Sequence, residues 1–144
     1  MRNTILLIAV FIGLVSTAAV AEEAAGSPMD ALSFMHGTWV GTATGVDQNG
    51  PFEVTQTERV GPMLDGDVIV VEGRGYEADG SLGFNAFAVI SYNRQSKKYE
   101  IRAYTGGRSG TYDLELIENG YRWTIPLGPD AKVVYSATYN DDIW

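Results

Sequence analysis

Leu82-Gly83-Phe84-Asn85-Ala86-Phe87-Ala88-Val89-Ile90-Ser91-Tyr92 is the stretch that decides the fold. Successive side chains of a β-strand point to opposite faces. One face here carries Leu82, Phe84, Ala86, Ala88, Ile90 and Tyr92; the other carries Gly83, Asn85, Phe87, Val89 and Ser91. Both sets are largely apolar, unlike a sheet with one wet side. The pattern fits a curved wall whose outer side is partly covered, or whose interior is a hydrophobic cavity.

Working outward from this strand, short β-branched and aromatic runs are punctuated by Gly, Asp, Asn and Pro at the spacing of an antiparallel meander. Strands are predicted near Thr38–Val46, Phe52–Val60, Asp67–Tyr76, Leu82–Tyr92, Lys98–Thr105, Thr111–Ile117, Tyr121–Ile125 and Lys132–Tyr139. Turns between them are supplied by Asp47-Gln48-Asn49-Gly50, Leu64-Asp65-Gly66, Asp79-Gly80, Asn93-Arg94-Gln95-Ser96, Gly106-Gly107 and Asn119-Gly120. Strands joined this tightly, about eight of them, predict an all-β, antiparallel up-and-down barrel. Gly41, Gly45, Gly73, Gly75 and Gly83 fall inside strands, where the absence of a side chain relieves crowding at sharp bends. Ahead of the first strand, Ser27 reads as an N-cap, Pro28 as the first helical position and Asp30 as the partner in a capping box. Met29, Leu32, Phe34 and Met35 give this single short helix or 3₁₀ segment its apolar side, and Gly37 ends it.

The first 21 residues, MRNTILLIAVFIGLVSTAAVA, place Arg2 before an apolar run and finish on Ala19-Val20-Ala21. That is the layout of a cleaved signal peptide, leaving 22–144 as one barrel domain in the periplasm or outside the cell. An uncleaved anchor is the alternative, but the run is shorter than the roughly 20 residues of a comfortable bilayer span. With no cysteine in the chain, an exported protein of this kind holds together by core burial without disulfides. The formal charge of −8 disfavours polyanions, so no nucleic-acid partner is expected, and it favours a monomer or weak dimer.

At Leu32-Ser33-Phe34-Met35-His36-Gly37-Thr38-Trp39-Val40-Gly41 a short helix runs into a G-x-W-x-G strand. This resembles the start of calycin folds, the group that includes lipocalins, fatty-acid-binding proteins and nitrobindin-type haem barrels. The chain further resembles the bacterial DUF1579 family in Phe52–Val60, Val70–Gly75, Ala88–Asn93, Lys98–Thr105, Arg108-Ser109-Gly110 and Trp123. That resemblance implies a lipocalin-like barrel without an assigned activity. It also implies a further strand, a turn and a final strand after Trp144, so the barrel is expected either to be incompletely closed, with two open edges, or to close with eight strands as a shorter variant.

Candidate chemistry is sparse. His36 is the single histidine and there is no cysteine, so the usual multi-ligand metal site cannot be assembled. Neither a nucleophile elbow nor a Ser/His/acid grouping is present, and no spacing singles out a catalytic pair among the acids Glu58, Glu72, Glu100 and Glu115. No catalytic residue, metal or cofactor is therefore expected. Haem requires one axial ligand, for which His36 is the sole imidazole; a surface or capping role is the alternative.

The more suggestive pattern is polar residues two apart on a strand, Glu72 with Arg74 and Arg102 with Tyr104. If their face lines the cavity, they offer a carboxylate-binding guanidinium and phenol beside apolar walls. Arg102-Ala103-Tyr104 resembles the Arg-x-Tyr pair that holds the head group in fatty-acid-binding proteins, although it lies on a different strand. The same residues would otherwise be outward ion pairs that fix register. Ligand-binding candidates are thus Glu58, Glu72, Arg74, Arg102, Tyr104 and Trp123, with Trp39, Gly37 and Gly41 as structural residues. Trp39 is expected at the closed end of the barrel, under the helix. The function expected is binding of a small apolar or amphipathic ligand, carboxylate-bearing if the Arg102/Tyr104 pair faces inward. A haem barrel and an envelope interaction module are the alternatives.

Overall fold

A computed structural model describes residues 26–47 and 50–139; the expected leader, 1–21, lies outside them. A 3₁₀ helix, Pro28–Met35, precedes eight strands: β1 (Gly37–Asp47), β2 (Gly50–Met63), β3 (Val68–Tyr76), β4 (Leu82–Asn93), β5 (Lys98–Thr105), β6 (Arg108–Ile117), β7 (Gly120–Pro126) and β8 (Lys132–Thr138). Each strand pairs antiparallel with its sequence neighbours, in the order β1 to β8. The sheet curls through 248° into part of a barrel. Eight strands do not close it: β1 and β8 are its two edges.

The register shows why both faces of β4 are apolar. Directly opposed residues share a face, and Gly37↔Val60, Val60↔Val71, Val71↔Ala88 and Ala88↔Ala103 carry the concave face from strand to strand. On that face Ile69, Ile90 and Ile101 meet Leu114 and Tyr121 in one buried cluster, into which the helix inserts Met29, Leu32 and Met35. Burial of these side chains is what holds the helix on the sheet, each worth roughly 1.5–3 kcal/mol relative to exposure. The other face of β4 contributes Phe87, Val89 and Ser91 to the outside of the sheet.

The helix start differs in one detail from the capping box. The Ser27 hydroxyl accepts from the Met29 N–H at 3.2 Å, one position earlier than a capping box places it, because the segment is wound as the tighter 3₁₀ form. At its other end His36 is the C-cap. Gly37 follows with φ 153°, a backbone conformation that side-chain-bearing residues rarely adopt, while a Cβ there would only touch the Trp39 indole at 3.4–3.6 Å. Two strand boundaries differ from the sequence expectation by three residues, the others by two or fewer. β2 runs on to Met63, and β6 starts at Arg108 because Arg108↔Thr105 closes the hairpin over Gly106-Gly107. The β6–β7 turn is Glu118-Asn119, with Ile117↔Gly120 as its closing pair. Asn119 takes the positive φ, while Gly120 is needed for contact: the Ala137 carbonyl lies where its Cβ would be.

Candidate ligand-binding trough

Antiparallel order sorts the concave face into two ends. The starts of β1, β3, β5 and β7 lie with the ends of β2, β4 and β6 beneath the helix; the remaining strand ends form a far end that no helix covers. At the helix end Leu32, Met35 and Ile90 are fully buried. At the far end Phe52 and Phe84 remain 42% and 45% exposed although they face inward. Toward the open edge, Tyr135 is 46% exposed. Its ring stacks on Trp123 at 4.6 Å, and Trp123 in turn leans on Tyr112 at 5.3 Å. The concave face is therefore a trough, plugged at one end by the helix and lined with accessible aromatic rings elsewhere.

The trough's polar fixture is Glu58. It lies on the concave face of β2, between Trp39 of β1 and Gly73 of β3. Burial pushes its carboxyl above the usual range, partly offset by the amide of Gln56, which donates to Oε1 at 3.4 Å. The phenol of Tyr121, on β7, is pushed well up by its own burial and by the Glu58 charge facing it. Space for Gln56 comes from the absence of side chains on β3. A Cβ at Gly73 would lie 3.1 Å from its amide nitrogen, and one at Gly75 would lie 3.1 Å from Val54 Cγ2 and 3.4 Å from Phe84 Cβ. At Gly41, by contrast, a Cβ would meet nothing within 4 Å, so crowding does not explain that glycine.

The six sequence-proposed ligand residues divide. Glu58 and half-buried Trp123 face the trough. Glu72, Arg74, Arg102 and Tyr104 face outward, since Glu72↔Phe87 and Phe87↔Tyr104 are opposed pairs on the convex side. Of the two alternatives for the Arg102/Tyr104 pair, the register takes the outward one, and the inward head-group clamp falls away: one step of alternation separates these residues from Ile101 and Ala103, which point in. Outside, Arg74 Nη2 binds Glu72 Oε1 at 2.6 Å and Arg59 Nη1 approaches its other oxygen at 3.7 Å. Arg102 Nε donates to the Tyr104 hydroxyl at 2.7 Å, and its guanidinium carbon lies 5.6 Å from the ring centroid.

Trp39 sits as expected beneath the helix, its indole N–H donating to the Met35 carbonyl at 2.9 Å. It also meets Tyr139 edge-on at 6.1 Å, which brings the first strand and the end of the last within ring contact. His36 is exposed and lines a separate hollow outside the trough with Met29, Pro62 and Ile69. Among the described residues no group of three or more His, Cys, Asp and Glu could hold a metal ion, and no helix is long and apolar enough to cross a membrane. Gln56, Phe52, Phe84, Tyr112 and Tyr135 also line the trough and are not among the sequence's ligand candidates, although alternation puts Gln56 and Phe52 on one strand face with Glu58. The signal that finds the last four is parity with Trp123 or Val54 through the strand register.

The fold and trough define an incompletely closed β-barrel of the ligand-holding shape. In comparisons with family models, curated proteins and solved structures, the chain matched none.

Proposed function

We propose that the chain is an exported binding protein, not a catalyst, that holds a small apolar or amphipathic molecule in the trough. One observation carries this reading: Phe52, Phe84 and Tyr135 stay 42–46% exposed on the same concave face whose other end is fully packed. Leaving large apolar side chains in water forgoes burial worth roughly 1.5–3 kcal/mol each, and aromatic walls with few polar groups are the lining of small-molecule sites. Glu58 and Gln56 supply the polar end. Because Glu58 is the one carboxylate in the middle of the trough among the described residues, the polar end of the ligand is a hydrogen-bond donor, an alcohol or amine, in place of the carboxylate expected from Arg102 and Tyr104. The leader-like first 21 residues support export to the periplasm or beyond, and the resemblance to the DUF1579 family supports the same barrel.

The test uses N-phenyl-1-naphthylamine, a neutral dye that brightens in apolar sites. Purified protein is expected to enhance its fluorescence saturably, with Phe84→Ala and Tyr135→Ala weakening the response. No enhancement by the folded protein overturns the reading. Dodecylamine and dodecanol are expected to displace the dye at lower concentration than dodecanoate does.

A second reading rests on the edges of the sheet. β1 and β8 each hydrogen-bond to a strand on one side only, so either edge can add a strand from another chain. A mass increase in light scattering, without dye enhancement, would favour this interaction module over the container.

A further inference from the structure

A second concavity lies at the far end of the sheet, beside Phe87 and Tyr104 of the outer face, and shares none of the aromatic residues of the trough. A groove of about 720 Å³ lies where β4 extends past the end of β5, beside the β5–β6 hairpin. Phe87 and Tyr104, 42% and 40% exposed, form its floor with ring centroids 6.3 Å apart. Arg74 borders it from β3 and Arg108 from the hairpin, while Glu72 is the single carboxylate among its lining residues. We propose that this groove is a binding site for a small aromatic carboxylate.

Charge supports that class of ligand. The chain as a whole is acidic, at −8, yet the groove gathers two guanidiniums against one carboxylate. That carboxylate is already engaged, by Arg74 and Arg59. Arg108 has no ion-pair partner among the described residues and is exposed at the first position of β6, where the hairpin closes. An incoming anion therefore meets uncompensated positive charge.

Donor geometry points the same way. The Tyr104 oxygen accepts from Arg102 Nε, so its own hydroxyl hydrogen is left to donate. Arg102 is also anchored by Nη1 to Thr111 Oγ1 at 3.3 Å, which fixes it as the residue that orients Tyr104. Arg74 is engaged by Glu72 and by the Tyr76 phenol and keeps further N–H groups of its five for another acceptor. A carboxylate between Arg108, Arg74 and the Tyr104 hydroxyl would lay an attached ring over Phe87. The volume lies within the range of small-ligand sites. The apolar floor favours an aromatic carboxylate over a bare inorganic anion, which gains nothing from Phe87.

The experiment is calorimetric titration of the purified protein with 2-naphthoate at low ionic strength, with 2-naphthalenemethanol as the uncharged counterpart. We expect one site per chain, binding that weakens with added salt, and much weaker binding of the alcohol. Arg108→Gln, at the exposed first position of β6 and without an ion-pair partner among the described residues, is expected to leave the circular dichroism spectrum unchanged and to weaken 2-naphthoate about tenfold, the loss of one charge-assisted contact. Phe87→Ala is expected to weaken it as well. Equal affinity for acid and alcohol, or an unchanged affinity in Arg108→Gln, overturns the proposal. So does displacement of N-phenyl-1-naphthylamine by 2-naphthoate, which would place the acid in the trough. Failure of the neutral dye alone to bind removes the trough reading and leaves this one standing.

Discussion

The two ends of the concave face are built from the same strands with the same alternation, and they differ in what covers them. Beneath the helix, Leu32, Met35 and Ile90 are fully excluded from solvent and Ile69 is 1% exposed. At the far end, Phe52 and Phe84 point into the same curve and stay close to half exposed. The period-two pattern makes a bent wall, but an eight-residue segment outside the sheet decides which part of that wall becomes core. Core and site are thus one surface, divided by where the helix stops.

The sharpest way to break this comparison is to cut one apolar side chain from each end. Leu32→Ala should cost about 2–5 kcal/mol, because it leaves a cavity in a packed region. Phe84→Ala should cost about 1 kcal/mol or less and lower dye binding instead. Urea unfolding of both variants measures this, and similar losses would mean that the two ends are packed alike.

A smaller effect concerns Glu58. Its folded carboxyl is held above the ordinary glutamate range by burial, so the native chain keeps that proton to higher pH than the unfolded chain does. Stability from this group is complete below the ordinary glutamate range and falls as pH rises through the raised value. Glu58→Gln removes that fall. The variant should melt at a higher temperature than the parent at pH 7 and alike at pH 4, and melting curves across that interval check the sign. A variant less stable at pH 7 would show instead that the ionised group has a native partner.

The smallest contrast is between two glycines of the concave face. Gly75→Ala must displace Val54 or Phe84 by a few tenths of an ångström and should be mildly destabilising. Gly41→Ala meets open space and, through the stiffer unfolded chain, should be neutral or stabilising by about 0.4–1 kcal/mol. Thermal melts of the pair measure the difference.

Most of the fold was legible because strand alternation and turn chemistry are local. Leu82–Tyr92 reads as a strand apolar on both sides, and β4 has a core side and a side carrying Phe87 and Val89. The Ser27-Pro28 start of the helix was equally local. Which face is concave was not legible, because the curl of a sheet is a property of all its strands together. That is why Arg102 and Tyr104 read equally well as inward or outward, while Glu58 shares its alternation with Phe52, Val54 and Gln56 and faces the trough with them. The helix's role as a plug could not be read from its own sequence either: its apolar side specifies burial, and only the register of β2 to β7 specifies against what.

The neighbour-only strand order has a kinetic consequence. Every ladder joins segments adjacent in the chain, so the meander can zip up hairpin by hairpin, each step closing a short loop at small entropic cost. The distant contacts are those of the helix and of Trp39, as in the Tyr99 hydroxyl of β5 donating to the Pro28 carbonyl across 71 positions at 2.5 Å and in Trp39 against Tyr139. Seating of the helix is therefore expected to follow the hairpins, and Trp39 emission in a Trp123→Phe, Trp144→Phe chain would time it.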